Sequence, residues 1–163
     1  MPFSVVIVGA GPGGAAAAVA LAERGVRDVL LLDKDPFPRD KTCGSALSPN
    51  GVALLDELGV GAEVRRRGYF IDAARIVTPG GRAMHLVSAE SAIILLRKHF
   101  DNLLVERAQA LGVTFRSGFT AREIVREGGR AVGVRSREGE VVRAPVVLEI
   151  GRASCRERVC MLV

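Results

Sequence analysis

A glycine-rich stretch near the start of the chain constrains the fold more than any other feature. Residues 9–14, GAGPGG, follow the β-branched run SVVIV and precede an alanine-rich segment at 15–25. A second apolar run, DVLLLD, ends in Asp33, nineteen residues after Gly14. This order is that of a βαβ unit: a strand, a glycine turn, a helix and a second strand. The helix carries the chain back, so that the second strand runs parallel to the first. The spacing therefore predicts a doubly wound α/β fold.

The glycines and the acid have separate expected roles in binding a dinucleotide. Gly9 allows the tight turn, Gly11 lets a pyrophosphate approach the backbone, and Gly14 lets helix and strand pack closely. The phosphates are expected at the helix N-terminus, where N–H groups and the helix dipole favour an anion. Asp33 is expected to accept both ribose hydroxyls and to repel a 2′-phosphate, which argues against NADP. The expected binding residues of this segment are Gly9, Gly11, Pro12, Gly13, Gly14, Asp33 and Lys34.

The rest of the chain mixes helical and extended patterns. They predict a helix at 48–59, two strands within 69–88, a strand at 92–96, a helix at 97–112 and short strands from 113 to 148. Ser48 and Pro49 are expected to cap and open the first of these helices. Asp101 is interpreted as an acid in the first turn of the second helix, where it favours the helix dipole. Strands at such short spacing predict a β-meander.

Composition limits the function. The net charge is +5, but the basic residues are scattered and aromatic residues make up only 4%, so no platform for stacking bases is expected and nucleic acid is excluded as a partner. The glycines and Pro12 interrupt the uncharged start of the chain, which argues against a membrane helix or signal peptide. We therefore expect a cytoplasmic protein without disulfides. No metal site is predicted, and His85 and His99 are expected at the surface.

The last residues differ from everything before them. Residues 149–159, EIGRASCRERV, resemble the translation of a common short sequencing adapter rather than the continuation of a strand. We therefore expect an incomplete FAD-binding domain at 1–148 and a non-native tail at 149–163. Two of the three cysteines lie in that tail, so no site is built on them.

The segments around the glycine loop resemble a known family of flavoenzymes. They are VIVGAGPGG, LLDKDPFPRDKTCGSALSPNGVALLDELG and LLRKHFDNLLVERAQALGV. Together they resemble the amino-terminal part of the geranylgeranyl reductase family, FAD-dependent oxidoreductases related to the p-hydroxybenzoate hydroxylase type. The resemblance covers residues 3–148. Its K-x-C-G loop and R-x-x-F-D sequence are more specific than the glycines alone, and they favour FAD over NAD.

The resemblance implies further site residues. Cys43 and Gly44 would lie beside the isoalloxazine ring, with Cys43 as a candidate catalytic residue, and Arg97 would contact the adenosine and pyrophosphate part of FAD. The backbone near Ala121 would cover the adenine. A glycine suits a place where backbone approaches a flat ring, and an arginine offers a fork of donors to phosphate or ribose. A lone cysteine is also a common small apolar residue, so a structural role for Cys43 stays open.

The implied activity is the reduction of carbon–carbon double bonds in an isoprenoid or lipid-like molecule by hydride transfer through FAD. NAD(P)H or another reductant would donate the electrons. An aromatic monooxygenase or halogenase relative and a nucleotide-binding module without turnover stay open as alternatives. Family members continue into an Ala/Gly-Asp-Gly stretch and a substrate domain, which are missing here together with any membrane contact they make. We therefore expect the 163-residue chain to be inactive and to bind FAD weakly.

Overall fold

The structure, a computed structural model, describes residues 3–150, except for the side chains of 88–90. The expected non-native tail therefore lies, from residue 151 on, outside the described residues. In chain order the elements are β1 (Val5–Val8), α1 (Pro12–Glu23), β2 (Val29–Leu32), β3 (Ala46–Leu47), α2 (Pro49–Glu57), α3 (Gly61–Arg67), β4 (Tyr69–Val77), β5 (Ala83–Ile94), α4 (Arg97–Ala110), β6 (Thr114–Arg116), β7 (Ala121–Glu127), β8 (Arg130–Ser136), β9 (Val141–Arg143) and β10 (Val146–Glu149).

The chain divides into two compact units. Among the described residues, one unit comprises 3–40 and 101–150, and the other comprises 41–100. The first unit holds a parallel sheet in the order β10-β1-β2-β6, which confirms the predicted α/β class. The β1 and β2 strands are buried because they are continuous apolar runs, as expected for strands covered on both faces.

The helix between these strands starts earlier than the alanine run predicts. It begins at Pro12 rather than at Ala15, because proline has no N–H to lose and a φ already suited to the first helical position. Its inner face is made of small residues, and Ala15, Ala18 and Val19 are fully buried. Short side chains let this helix lie close to the sheet.

The predicted meander covers the parallel sheet. Strands β7, β8 and β9 form an antiparallel sheet within the same unit. Their apolar side chains share one core with those of the parallel strands: Val6, Leu30, Leu32, Phe119, Val134, Val142, Ala144 and Val147. Burial of this cluster joins the two sheets into one folding unit.

The second unit packs two helices with an antiparallel sheet in the order β3-β5-β4. Ser48 caps α2 as predicted, because its Oγ accepts a hydrogen bond from the N–H of Gly51 at 3.2 Å. The α3 helix was not predicted, since GAEVRRR offers little apolar periodicity. The prediction of a separate strand at 92–96 is wrong, because β5 runs without a break from Ala83 to Ile94.

The long ribbon of β4 and β5 exposes apolar side chains. All nine residues of β4 are exposed. The exposed large apolar residues of the ribbon include Tyr69, Phe70, Ile71, Ile76, Val77, Met84, Leu86 and Val87.

Helix α4 contributes residues to both units. The predicted apolar face is confirmed at Phe100, Leu103, Leu104 and Ala108, all of which are buried, whereas Leu111 falls beyond the helix end. The interpretation of Asp101 as a first-turn acid is wrong. The first turn of α4 contains no acid, and the Asp101 side chain is buried in an ion pair with Arg39.

Candidate functional site

The glycine loop joins β1 to α1 in a conformation that only small residues fit. Gly9 has φ +102°, and a Cβ at this residue would lie 2.7 Å from the carbonyl oxygen of Ile150. A Cβ on Gly14 would lie 1.8 Å from the carbonyl oxygen of Gly9. The turn expected at Gly9 is therefore observed, and Gly14 lets the helix start directly against the loop's own backbone.

The first turn of α1 is left without a side-chain cap. Gly11 occupies the N-cap position and offers no side-chain acceptor, and the first turn contains no acid. The N-cap of α2 shows the contrast, since Ser48 there satisfies an N–H of its own helix. Backbone N–H groups at the start of α1 are thus available to an anion, as the glycine pattern predicts.

Asp33 is held directly beside this loop. It follows β2, its side chain is 7% exposed, and its Oδ2 accepts a hydrogen bond from the Ala10 N–H at 2.8 Å. Its Oδ1 accepts one from the Asp35 N–H at 3.0 Å. A carboxylate offers about four lone-pair positions, so these two bonds leave acceptor positions for ribose hydroxyls. The guanidinium of Arg39 lies nearby, with Nη2 3.6 Å from Oδ2.

Arg39 is a residue of this site that the sequence analysis missed. Its side chain is 9% exposed and lies between two buried carboxylates. Nη2 is 3.6 Å from Oδ2 of Asp33, and Nη1 is 3.0 Å from Oδ2 of Asp101. The guanidinium carbon also lies 4.7 Å from the centre of the Phe37 ring. An arginine among acids and aromatic residues in the loop after β2 was the available signal.

Lys34 and Ala121 are less closely involved with these residues. The Lys34 side chain is exposed, with Nζ 3.9 Å from Oδ1 of Asp35. Ala121 begins β7, opposite Ser136, and packs against the shared core. His85 and His99 are exposed, as predicted. The part of the chain between residues 3 and 150 contains no group of acids, histidines and cysteines suited to a metal.

The second unit brings two other expected site residues together. Cys43 is a free, exposed thiol, and its pKa is lowered below the ordinary value, first by a hydrogen bond from the backbone of Ser45 and then by one from the Arg97 side chain. The positive charge of Arg97 acts in the same direction. Because the thiolate is the nucleophilic form, Cys43 is expected to react with electrophiles at a lower pH than an ordinary cysteine does.

This arrangement predicts a pH profile for alkylation. Iodoacetamide should modify Cys43 with a midpoint below that of an ordinary cysteine, because the thiolate persists to lower pH. In Arg97→Gln the midpoint should rise, but only in part, since the Ser45 backbone remains. Mass spectrometry of the peptide that contains Cys43 separates it from the two cysteines at 155 and 160.

An unchanged midpoint in Arg97→Gln would show that Arg97 does not act on the thiol. The matched control is Arg135→Gln, an exposed arginine paired with Glu123 in the other unit. It should leave the Cys43 midpoint where it was.

Gly44, the second expected site residue of the K-x-C-G loop, has open space around it. A Cβ built on Gly44 meets no atom within 4 Å, and its φ lies outside the left-handed region. Nothing in the described part of the chain therefore requires glycine here.

These features define a dinucleotide-binding domain: a parallel sheet, an uncapped helix behind a glycine turn, and an acid after the second strand. Comparison with known proteins identifies the type of dinucleotide-binding domain. The family model of the FAD binding domain matches residues 3–145, so the chain belongs to the FAD-binding domain family.

Three similar proteins illustrate the range of this family. The menaquinone reductase of Mycobacterium tuberculosis is 34% identical over 95% of this chain and 41% of its own length. Digeranylgeranylglycerophospholipid reductase 2 of Methanopyrus kandleri is 36% identical over 91% of this chain and 37% of its own. The structure of a myxobacterial chondrochloren halogenase, an FAD-dependent halogenase, superposes with a TM-score of 0.80 at 27% identity, over 94% of this chain and 38% of its own.

These matches confirm the resemblance to the amino-terminal part of the geranylgeranyl reductase family and to FAD-dependent oxidoreductases. The chain spans about two fifths of the length of these curated relatives, 41% of the menaquinone reductase and 37% of the digeranylgeranylglycerophospholipid reductase. Among residues 3–150, no helix has the length and apolar character needed to cross a bilayer.

Proposed function

We propose that this chain is the FAD-binding part of a flavoenzyme that reduces carbon–carbon double bonds in an isoprenoid chain. The observation that carries the proposal is the presence of the K-x-C-G loop and the R-x-x-F-D sequence, the two motifs most specific to the reductase resemblance. Cys43 of the first motif and Arg97 of the second lie in the same unit, where Arg97 lowers the pKa of the Cys43 thiol. The reductases of menaquinone and of digeranylgeranylglycerophospholipid support the substrate class by their names.

The residues present fit FAD. The uncapped start of α1 suits the pyrophosphate, and Asp33 has a lone-pair position left for a ribose hydroxyl. Gly11 has an extended conformation that any residue can adopt, so its backbone does not require glycine. Its lack of a side chain instead fits a close approach of phosphate to the backbone. Gly44 has the empty space that a flat ring beside the loop needs.

In this proposal the protein binds and orients, and the flavin when bound supplies hydride transfer. The glycine loop and Asp33 hold the adenosine and pyrophosphate, with Lys34 and the backbone near Ala121 at the edge of that site. Arg97 contributes donors to the cofactor, and Cys43 and Gly44 shape the surface beside the ring. NAD(P)H or another reductant donates the electrons, and any peripheral membrane contact comes from the part of the enzyme not contained in this chain.

The Gly44 assignment makes a prediction that separates binding from folding. Gly44→Ala should leave the thermal midpoint of the FAD-free chain unchanged, because the added methyl group meets no protein atom. If the flavin ring lies against Gly44, FAD affinity should fall about tenfold or more, as expected for overpacking of a tight contact. Titration of each variant with FAD, followed by flavin fluorescence, measures the loss.

The matched control is Gly80→Ala in the turn between β4 and β5, which also meets no atom within 4 Å. Gly80→Ala should change neither the thermal midpoint nor the affinity for FAD. Equal FAD affinity in Gly44→Ala and Gly80→Ala would remove Gly44 from the proposed site.

The proposed activity needs the complete reading frame. Reading the source DNA past codon 148, with primers outside any adapter, also tests the proposed domain at 1–148 and the proposed non-native tail at 149–163. The purified flavoprotein, reduced with dithionite, would be incubated with menaquinone and with a geranylgeranylated lipid. The masses are compared after the quinone ring has been reoxidised in air, because dithionite alone adds two hydrogen atoms to that ring. A gain of 2 Da that persists then, or that appears in the geranylgeranylated lipid, supports the proposal, because each reduced carbon–carbon double bond adds two hydrogen atoms.

A halogenase is the second candidate, favoured by the likeness to the chondrochloren halogenase. It would leave both substrates at their original mass, and with oxygen and bromide it would add bromine to an aromatic acceptor. That pair of results would overturn the reductase assignment and keep the flavoprotein class.

A further inference from the structure

Arg39 connects segments of the first unit that are distant in sequence. Its guanidinium lies between Asp33, which follows β2, and Asp101, on α4. Asp33 in turn accepts a hydrogen bond from Ala10 in the glycine loop. A continuous series of polar contacts therefore runs from Asp101 through Arg39 and Asp33 to Ala10.

The charges of this cluster need the arginine. Asp33 and Asp101 are 7% and 0% exposed, and Asp35, whose Oδ2 lies 3.9 Å from Nε of Arg39, is partly buried. Buried carboxylates without a cation would lose their solvation and repel one another. A guanidinium can face two carboxylates at once through its separate Nη atoms, which the single ammonium of a lysine does less well.

The arginine is not bound by directed hydrogen bonds at every atom. Nε and Nη1 are buried, and neither donates a hydrogen bond within the described part of the chain. The contact of Nη1 with Asp101 is therefore an ion pair of close approach rather than a directed bond. The surrounding charge and the face of Phe37 are what hold the guanidinium, and the guanidinium lies against Asp33.

We propose that Arg39 is a positioning residue of the nucleotide site, which holds the Asp33 carboxylate against the glycine loop and keeps its free acceptor positions turned to the adenosine ribose. The inference rests on the proposed FAD site and adds a residue outside the glycine, K-x-C-G and R-x-x-F-D motifs. Arg39 acts here through Asp33 and does not itself touch the nucleotide.

The test compares ADP with 2′-deoxy-ADP, since the ratio of their dissociation constants reports the contact to the 2′-hydroxyl. The unaltered chain should prefer ADP by about tenfold, the effect of one hydrogen bond to a charged group. In Asp33→Asn and in Arg39→Gln the ratio should fall towards one. An Arg39→Gln chain that keeps the tenfold preference overturns the proposal, even if both affinities fall together.

The double variant Asp33→Asn/Arg39→Gln tests whether Arg39 acts through Asp33. It should bind ADP as weakly as Asp33→Asn alone, because the positioned group is already gone. A further loss of the same size would mean that Arg39 contacts the nucleotide itself, which also overturns the proposal. Arg39→Lys should restore only part of the preference, because one ammonium does not serve both carboxylates.

Folding is controlled with two variants. Arg39→Gln/Asp101→Asn removes one positive and one negative charge, so the buried charge balance is kept and the same loss of preference is expected. Arg135→Gln removes an arginine whose side chain is 43% exposed, and it should change neither folding nor the ADP preference.

Amide hydrogen exchange tests the position of Asp33 without any nucleotide. In Arg39→Gln the Ala10 amide should exchange about tenfold faster, whereas the Leu31 amide in β2 should not, which separates local release from global opening. Equal change at both amides overturns the proposal. Absence of nucleotide binding by the unaltered chain would count against the proposed FAD site, and the exchange result would still decide the role of Arg39.

Discussion

Replacement of Gly14 by alanine should abolish FAD binding and destabilise the chain by about 3 kcal/mol or more. The new Cβ would lie 1.8 Å from the carbonyl oxygen of Gly9, an atom that cannot rotate away because it belongs to the backbone of the turn. Relief would require α1 to move away from the loop that fixes its first turn. Alanine is a better helix former than glycine, so intrinsic propensity predicts the opposite sign.

Urea unfolding and FAD titration measure the two effects together. Gly80→Ala is the matched control, because its Cβ meets no atom within 4 Å. A Gly14→Ala chain that is as stable as the control would mean that the close approach of loop and helix is absent in solution.

Replacement of Asp33 by alanine should have the second largest effect. The N–H groups of Ala10 and Asp35 lose their acceptor, and Arg39 loses one of its two buried ionic partners. Unsatisfied buried donors and a broken buried ion pair together should cost about 3 kcal/mol. FAD affinity should fall about 100-fold, since the ribose contact and the shape of the loop are both lost.

Asp33→Asn separates the two contributions. It keeps the size of the side chain and an acceptor oxygen, so most of the stability should return while FAD affinity stays at least about tenfold reduced. Asp72→Ala, which removes an exposed carboxylate on β4, should alter neither the urea midpoint nor the dissociation constant. Full FAD affinity in Asp33→Asn would exclude the carboxylate charge from nucleotide binding.

The sequence predicted those parts of the fold in which local pattern and burial agree. The apolar runs that became β1 and β2, the turn at Gly9 and the cap at Ser48 need only neighbouring residues for their definition. Helix α3 was not predicted, because its sequence is short, mostly polar and rich in arginine. The continuity of β5 was also missed, because the sequence pattern divides it into the second strand within 69–88 and a separate strand at 92–96.

In the candidate site, too, residues at a regular local spacing were predicted, whereas contacts between distant parts of the chain were not. The glycine motif and Asp33 follow a spacing that can be read along the chain, so their proximity was predictable. Arg39 and Asp101 are far apart in sequence, and their ion pair exists only because both residues are folded into the same unit. Asp101 therefore had the appearance of a helix-dipole residue, although its buried carboxylate faces a guanidinium.

The missing side-chain cap on α1 would make the proposed cofactor part of the stability of the protein. Helix α2 is capped by Ser48, whereas α1 has only Gly11 at its N-cap, so in the proposed site the phosphates of FAD would take the place of the missing cap. A group that binds only the folded state stabilises it by mass action, by about 2.7 kcal/mol at a concentration one hundred times its dissociation constant. Flavin supply would then determine how much of the newly made protein survives in a cell, before any question of catalysis arises.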